Sequence, residues 1–380
     1  MSEAIPTQRR RDARCDTWPR VRLGEVCVSL TSQIRQRDLD GNTGPYPIFG
    51  AAGFLRNSCF CMVDKPAIAM VKDGAGVGRV MCIPANSAVI GTMLILKPNN
   101  GIDRGYLFYA LSSLNLGRLC SGATIPHLYF RDMKALTVLL PPLAIQRRIA
   151  AKLDRLCDIV TKRKNQLSQL NQLVKSRFVE MFGGEKTERA MPDICEIIDG
   201  DRGKNYPTQG DFTSNGFCLF LSAKNVTKDG FSFETQSYIS KAKDDALRKG
   251  KLKRGDVVLT TRGTIGNIAF YDKNVPFDNI RINSGMVILR MRNGIDPVYF
   301  IHAFNAKMQV VARRLVSGTA QPQLPISVMN KIMLPLPPLA LQREFAAFVE
   351  KVDKLAFAVR KSLESAEKLY RQQLSEAFAC

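Results

Sequence analysis

The stretch PPLAIQRRIAA (141–151) returns 196 positions later as PPLALQREFAA (337–347). That interval far exceeds the few tens of residues of a solenoid repeat, so the duplicated object is a whole domain with its connector. The surroundings agree. SGATIPHL (121–128) precedes the first copy and SGTAQPQL (317–324) the second at the same offset, and NGIDRGYLFYAL (100–111) matches NGIDPVYFIHAF (293–304) at an offset of 193. AGVGRVMCIP (75–84) resembles GTIGNIAFYD (263–272), and the segments before them diverge almost completely. A shared frame carries unlike inserts.

Short β-type runs fill each divergent part: PAIAMV, VMCIP and MLILK in the first half, DVVLTT, NIAFY and MVILRM in the second. Gly, Asn and Pro punctuate them, which predicts mostly antiparallel β domains with a few helices. Proline keeps the preceding residue out of helical geometry and suits a first helical turn, so Pro141-Pro142 and Pro337-Pro338 mark strand-to-helix junctions. Beyond each junction the apolar period becomes a heptad. Ile149, Leu153, Leu156, Val160, Leu167, Leu170 and Val174 form a seam interrupted by Arg163. Carried forward by 196, the same positions fall on Phe345, Val349, Val352, Ala356, Val359, Leu363, Ala366 and Tyr370, all apolar. Two helices of about 40 residues, about 60 Å each, should pair with one another. A whole domain separates them in sequence, and two-fold pseudosymmetry favours the antiparallel arrangement. The expected fold class is α+β. Its parts are a disordered basic N-terminus (1–17), a β domain (18–140), a helix (141–182), a second β domain (183–336) and a second helix (337–380), the helices forming an antiparallel coiled coil.

Lys and Arg outnumber Asp and Glu by 55 to 34, which suits a polyanion such as nucleic acid. No apolar run approaches a spanning helix and the N-terminal arginines precede no signal-peptide core, so a soluble, cytoplasmic protein is expected. The ten cysteines lie mostly in apolar stretches and read as reduced core residues; Cys59 and Cys61 have no partner pair at zinc spacing, and no metal site is expected.

With His127 and His302 as the only histidines, and no nucleophile elbow, Walker loop or Asn-Pro-Pro-aromatic tetrapeptide, the sequence supplies no catalytic constellation. DGAGVGR (73–79) superficially resembles a nucleotide-binding glycine loop. It leads into a strand rather than a helix, so a hairpin turn at positive φ is favoured. Two rival readings are a stand-alone methyltransferase using Gly74–Gly78, betrayed by S-adenosylmethionine bound to the isolated chain, and a non-enzymatic coiled-coil adaptor, betrayed by DNA binding no tighter than that of any basic protein.

Two variable β-rich domains, each followed by a Pro-Pro junction and a heptad helix, resemble the specificity (S) subunit of type I DNA restriction-modification enzymes, the HsdS family. DGDRGKNYP (199–207), FLSAKNV (220–226) and RGDVVLTTRGTIGN (254–267) look like that family's second target-recognition domain, and YPIFGAAG (46–53) and AIAMVKDGAGVGRV (67–80) like the first. The resemblance runs from Trp18 to the C-terminus. It implies a non-catalytic subunit whose domains each read one half of a split, asymmetric double-stranded DNA site, while the helices set the gap and dock two methyltransferase (M) subunits. Those partners would carry the S-adenosylmethionine and modify adenine, with motor-nuclease (R) subunits joining for cleavage. This chain would need no cofactor.

Phosphate contacts give affinity without sequence information; Arg suits guanine, and Asn or Gln suits adenine, through paired hydrogen bonds in the major groove. The candidate DNA-binding residues are therefore Arg202, Lys204, Asn205, Tyr206, Lys224, Asn225 and Arg262 in the second half, and Arg56, Lys72 and Arg79 in the first. Lys72-Asp73 stands where Thr261-Arg262 stands, so contacts need not transfer between halves. The basic run 241–254 reads as a solvated face, and the SGAT and SGTA turns as structural closures.

Overall fold

The computed structural model describes residues 18–122, 125–315 and 323–378; the 1–17 segment and most of SGTAQPQL lie outside them. The chain forms two compact units, residues 1–166 with 359–380, and residues 167–358. Each long helix, Leu143–Phe182 and Leu339–Phe378, begins in one unit and ends in the other.

In the first unit, strands β1 (Arg20–Arg22), β2 (Cys27–Thr31), β3 (Tyr46–Gly50), β4 (Gly53–Ser58), β5 (Ala67–Val71), β6 (Val80–Ile83), β7 (Ala88–Val89), β8 (Met93–Pro98) and β9 (Thr137–Leu139) form three sheets. The largest has the order β2-β8-β5-β6, antiparallel throughout, and a second has the order β4-β3-β7 with β3 and β7 parallel. Period-two alternation sends Ile68, Met70, Leu94 and Leu96 into a core with the helix Arg104–Ser113, and Ala69, Val71, Met93 and Ile95 into a second core on the other face. Burial on both faces explains why AIAMV is apolar at every position.

The second unit repeats this plan. Its strands are β10 (Glu188–Ala190), β11 (Cys195–Asp199), β12 (Cys218–Phe220), β13 (Val226–Thr227), β14 (Gly230–Phe231), β15 (Tyr238–Ile239), β16 (Val257–Thr260), β17 (Ile268–Phe270), β18 (Ile280–Arg281), β19 (Met286–Met291) and β20 (Met333–Pro335). The antiparallel sheet β11-β19-β16-β17 corresponds to β2-β8-β5-β6, and β15-β12-β18, with β12 and β18 parallel, corresponds to β4-β3-β7. The hairpin β13–β14 and the helix Lys241–Ala246 are the second unit's own insertions.

The repeated phrase is a clamp. Gln146 is 1% exposed; its Oε1 accepts from Asp103 N–H at 2.8 Å and its Nε2 donates to Pro141 O at 2.9 Å and Gly101 O at 3.3 Å. Gln342, also 1% exposed, repeats the set with Asp296 N–H at 2.9 Å, Pro337 O at 2.8 Å and Gly294 O at 3.3 Å. NGID and PPLA-x-Q thus recur together because one is bonded to the other. Tyr106 adds a hydroxyl bond to Leu139 O (2.7 Å) and Tyr299 one to Pro335 O (2.8 Å).

Within each unit the two helix segments run antiparallel. In the first, Ile149 and Leu153 pack with Tyr109, Tyr370, Leu374 and Phe378, and Lys164 pairs with Glu367 at 2.9 Å. In the second, Leu170, Val174, Phe178 and Phe182 pack with Phe345, Val349, Val352 and Tyr299, and Arg177 meets Glu344 at 3.1 Å. Leu156 is buried as well, and Val160, Leu167, Val359 and Leu363 are half-buried. Cysteine placement differs from the sequence expectation: Cys27, Cys195 and Cys218 are buried, but Cys59 and Cys61 are exposed in the loop that follows β4, and Cys82 and Cys157 are exposed on β6 and on the first long helix. Among the described residues no helix is long and apolar enough to cross a membrane.

Candidate nucleic-acid interface

The glycine loop is a hairpin. It joins antiparallel β5 and β6, with Gly74, Gly76 and Gly78 at φ of 86°, 94° and 84°, a geometry that side chains with a Cβ resist. A Cβ on Gly78 would also come within 2.9 Å of Leu116. No helix N-terminus follows the loop to hold a phosphate, which removes the basis for a methyltransferase cofactor site there. The equivalent turn joins β16 and β17, with Gly263 and Gly266 at 73° and 87°.

In the second unit, Arg262 is exposed on that turn and shares a hollow with Asp199, Arg202, Thr261 and Gln323. Arg202 is tied to Asp199 at 3.2 Å and to Ser284 O at 3.3 Å, so its guanidinium is aimed. Asn205 donates to Ala246 O at 3.0 Å, and the Tyr206 hydroxyl accepts from Ser284 N–H at 3.3 Å while its ring meets Phe220 edge to face. Lys204 and Lys224 are exposed. The structure therefore gathers Arg202, Lys204, Asn205 and Tyr206 on one loop and brings Arg262 beside Arg202.

Asn225 departs from its expected role. It is 2% exposed, its Nδ2 donates to Ser232 O at 3.0 Å and Thr235 O at 2.7 Å, and its Oδ1 accepts from Ser222 N–H at 2.8 Å. An amide so engaged has no edge left for a base; it builds the turn that carries Lys224.

The basic run 241–254 is likewise more than a solvated face. Ser240 caps its helix, and Asp244, fully buried, binds Lys251 and the Arg281 guanidinium. Arg281 also donates to Lys249 O at 2.6 Å and Leu247 O at 3.1 Å. The carboxyl of Asp244 is held below the usual range: burial opposes ionisation, and its cationic partners outweigh it. The run is thus folded around an ion pair that sets Arg248 and Lys249 beside Asp201 and Arg202 in a second hollow. Asp201 accepts from the backbone of Gly203 and Arg248 at 2.8 and 2.7 Å, the Gly203 bond being the main cause of its lowered carboxyl pKa.

In the first unit, Lys72 and Arg79 sit on the same hairpin loop; Lys72 pairs with Asp73 at 3.3 Å and the Arg79 guanidinium donates to Ala51 O. Arg56, on β4, is bound to Leu39 O at 2.8 Å and serves that loop. Sequence reasoning passed over Asp73, His127 and Tyr129, which meet here: His127 Nδ1 lies 2.8 Å from Asp73 Oδ1, and the Tyr129 ring stacks on the imidazole at 6.3 Å. The signal was present in the offset of 196, which places His127 opposite Gln323.

The family model described as "Type I restriction modification DNA specificity domain" matches the chain twice, over residues 15–171 and 184–366. The chain is 25% identical over 395 residues to the type I restriction enzyme MjaVIII specificity subunit of Methanocaldococcus jannaschii, covering 93% of this chain and 90% of that protein. It is 23% identical over 390 residues to the EcoBI specificity subunit of Escherichia coli, covering 93% and 77%. Among solved structures, the type I restriction-modification S subunit from M. genitalium superposes with a TM-score of 0.65 at 17% identity, over 95% of this chain and 96% of that one.

Proposed function

Because the chain belongs to the family defined by the type I restriction modification DNA specificity domain, which it carries twice, we propose that it is the DNA-reading specificity subunit of a type I restriction-modification complex. Each unit reads one half of a bipartite, asymmetric double-stranded target, and the two helices set the distance between the halves and dock two methyltransferase subunits. The chain itself performs no chemistry. The partner methyltransferase subunits bind S-adenosylmethionine and modify adenine, motor-nuclease subunits join where the complex also cleaves, and the assembly works in the cytoplasm.

One observation carries this reading: the clamp at Gln146 and Gln342 is repeated bond for bond, while the exposed loops it supports carry unlike residues. A frame kept constant around variable charged loops is what two different half-sites require of one chain. The basic excess supplies sequence-independent affinity that should fall steeply with salt.

Co-expression with a methyltransferase subunit, followed by mapping of methylated adenines, tests the proposal. The expected result is one split motif, with half-site centres about one DNA turn apart, near 34 Å, and no more than about two turns. A continuous motif would refute the two-reader arrangement. Inserting one heptad into one long helix should change the gap and leave the bases of each half intact.

A further inference from the structure

The loop at the end of the central hairpin is held in the same way in both units. Lys72 and Asp73 both donate N–H groups to Thr92 O, at 2.9 and 3.2 Å; Thr261 and Arg262 both donate to Gly285 O, at 2.8 and 3.2 Å. Leu128 N–H bonds Lys72 O at 2.8 Å, and Leu324 N–H bonds Thr261 O at 3.0 Å. These bonds put Asp73 directly across from His127, and Arg262 across from Gln323, as antiparallel neighbours. Opposed residues of this kind present their side chains side by side on one face. The backbone is conserved between the units and the chemistry on it is not.

We propose that these two facing pairs are base-reading positions and make the two half-sites different: His127, positioned by Asp73, in the first unit, and Arg262 with Gln323 in the second. The assignment rests on the DNA-reading function proposed above and names the residues that carry it.

In the first unit both carboxylate oxygens of Asp73 are engaged, Oδ1 by His127 Nδ1 at 2.8 Å and Oδ2 by Lys72 Nζ at 3.3 Å. With the carboxylate as acceptor the proton belongs on Nδ1, and in the neutral ring Nε2 is then the acceptor. An acceptor suits the exocyclic amino group of adenine or cytosine. Stacking of Tyr129 on the imidazole, and of the Arg131 guanidinium on Tyr129 at 4.6 Å, stiffens this row and puts a cation beside it for a phosphate. In the second unit Arg262 and Gln323 are both exposed, and neither head group has a hydrogen-bond partner among the described residues. A guanidinium beside an amide suits guanine next to adenine.

The test is selection of bound sequences from a randomised duplex pool by the purified full chain, compared with variants. Arg262→Ala should relax a guanine preference in one half-site by about tenfold and leave the other half unchanged, while His127→Ala should relax an amino-bearing base in the other half only. Arg262→Lys should keep affinity and lose the guanine preference, because an ammonium lacks the paired donors. Asp73→Asn frees the imidazole to change tautomer and should alter base choice at the His127 position without lowering affinity for unrelated DNA. Should His127→Ala fail to fold, His127→Gln keeps the main-chain pairing and places there the side chain that the second unit uses. A wild-type motif unchanged by both the Arg262 and His127 variants, or relaxed in both halves by either one, overturns the assignment; no split motif from the wild type overturns the functional reading beneath it.

Discussion

Replacing Gln342 with leucine removes the side chain that joins the second β domain to its helix while keeping the volume nearly constant. A half-buried and a buried main-chain group lose close partners, Asp296 N–H at 2.9 Å and Pro337 O at 2.8 Å; the Gly294 contact at 3.3 Å adds little. A buried polar group left unsatisfied costs about 1–3 kcal/mol, so the substitution should destabilise the second unit by about 3 kcal/mol. Gln342→Glu should do comparable harm at neutral pH, since its carboxylate still accepts from Asp296 but presents an oxygen to Pro337 O where a donor is needed. Gln146→Leu should cost the first unit about the same, because its bonds match in partner and length. Urea unfolding followed by circular dichroism reads the effect, and with two compact units it should be fitted as two transitions. A loss below about 1 kcal/mol, or one no larger than that of the exposed Gln372→Leu, would refute the clamp as the source of rigidity at the joint.

Three further outcomes follow from buried groups. Burial pushes the His302 imidazole down to about 4, so above pH 6.5 the second unit has its full stability; between about 6.5 and 4 the unfolded chain takes up a proton the folded one refuses, and up to about 3 kcal/mol is lost. His302→Phe, beside Phe345, should flatten that slope, and an unchanged slope in pH-dependent unfolding would sink the argument. Asp244→Ala strands the Arg281 guanidinium, 5% exposed, and should cost about 3–5 kcal/mol, whereas Asp244→Leu with Arg281→Met should cost less; equal losses in urea unfolding would contradict an ion-pair origin. Burial pushes the thiols of Cys27, Cys195 and Cys218 up to about 12, so they should resist a thiol reagent that labels Cys59, Cys61 and Cys157 in the folded protein; mass spectrometry of labelled peptides decides it.

Periodic features were legible in the sequence because period reports burial. The heptads of Ile149–Val174 and Phe345–Leu363 and the Pro-Pro helix starts follow from spacing alone. Partners across the fold were not legible. Nothing in the spacing of Asp244 and Arg281 announces that they meet in the core, and Asn225, a fine adenine reader by chemistry, closes its own loop instead. Asp73 and His127 lie 54 residues apart and are joined by a strand pairing that only the folded chain reveals. The divergent loops erase local pattern, and there the duplicated offset was the better guide: it aligned His127 with Gln323 without stating what either does.

The glutamine clamp grips main-chain atoms only: an amide hydrogen and a carbonyl oxygen of the β domain, and the carbonyl of the first proline at the junction. Such a fastening places no demand on the side chains of the piece it secures. A foreign β domain that ends in the same turn and the same proline pair would offer the clamp the same main-chain atoms as the native one. Unlike β domains can then share one coupling at the prolines, provided each also supplies the ring, Tyr109 or Tyr299, that packs on its helix.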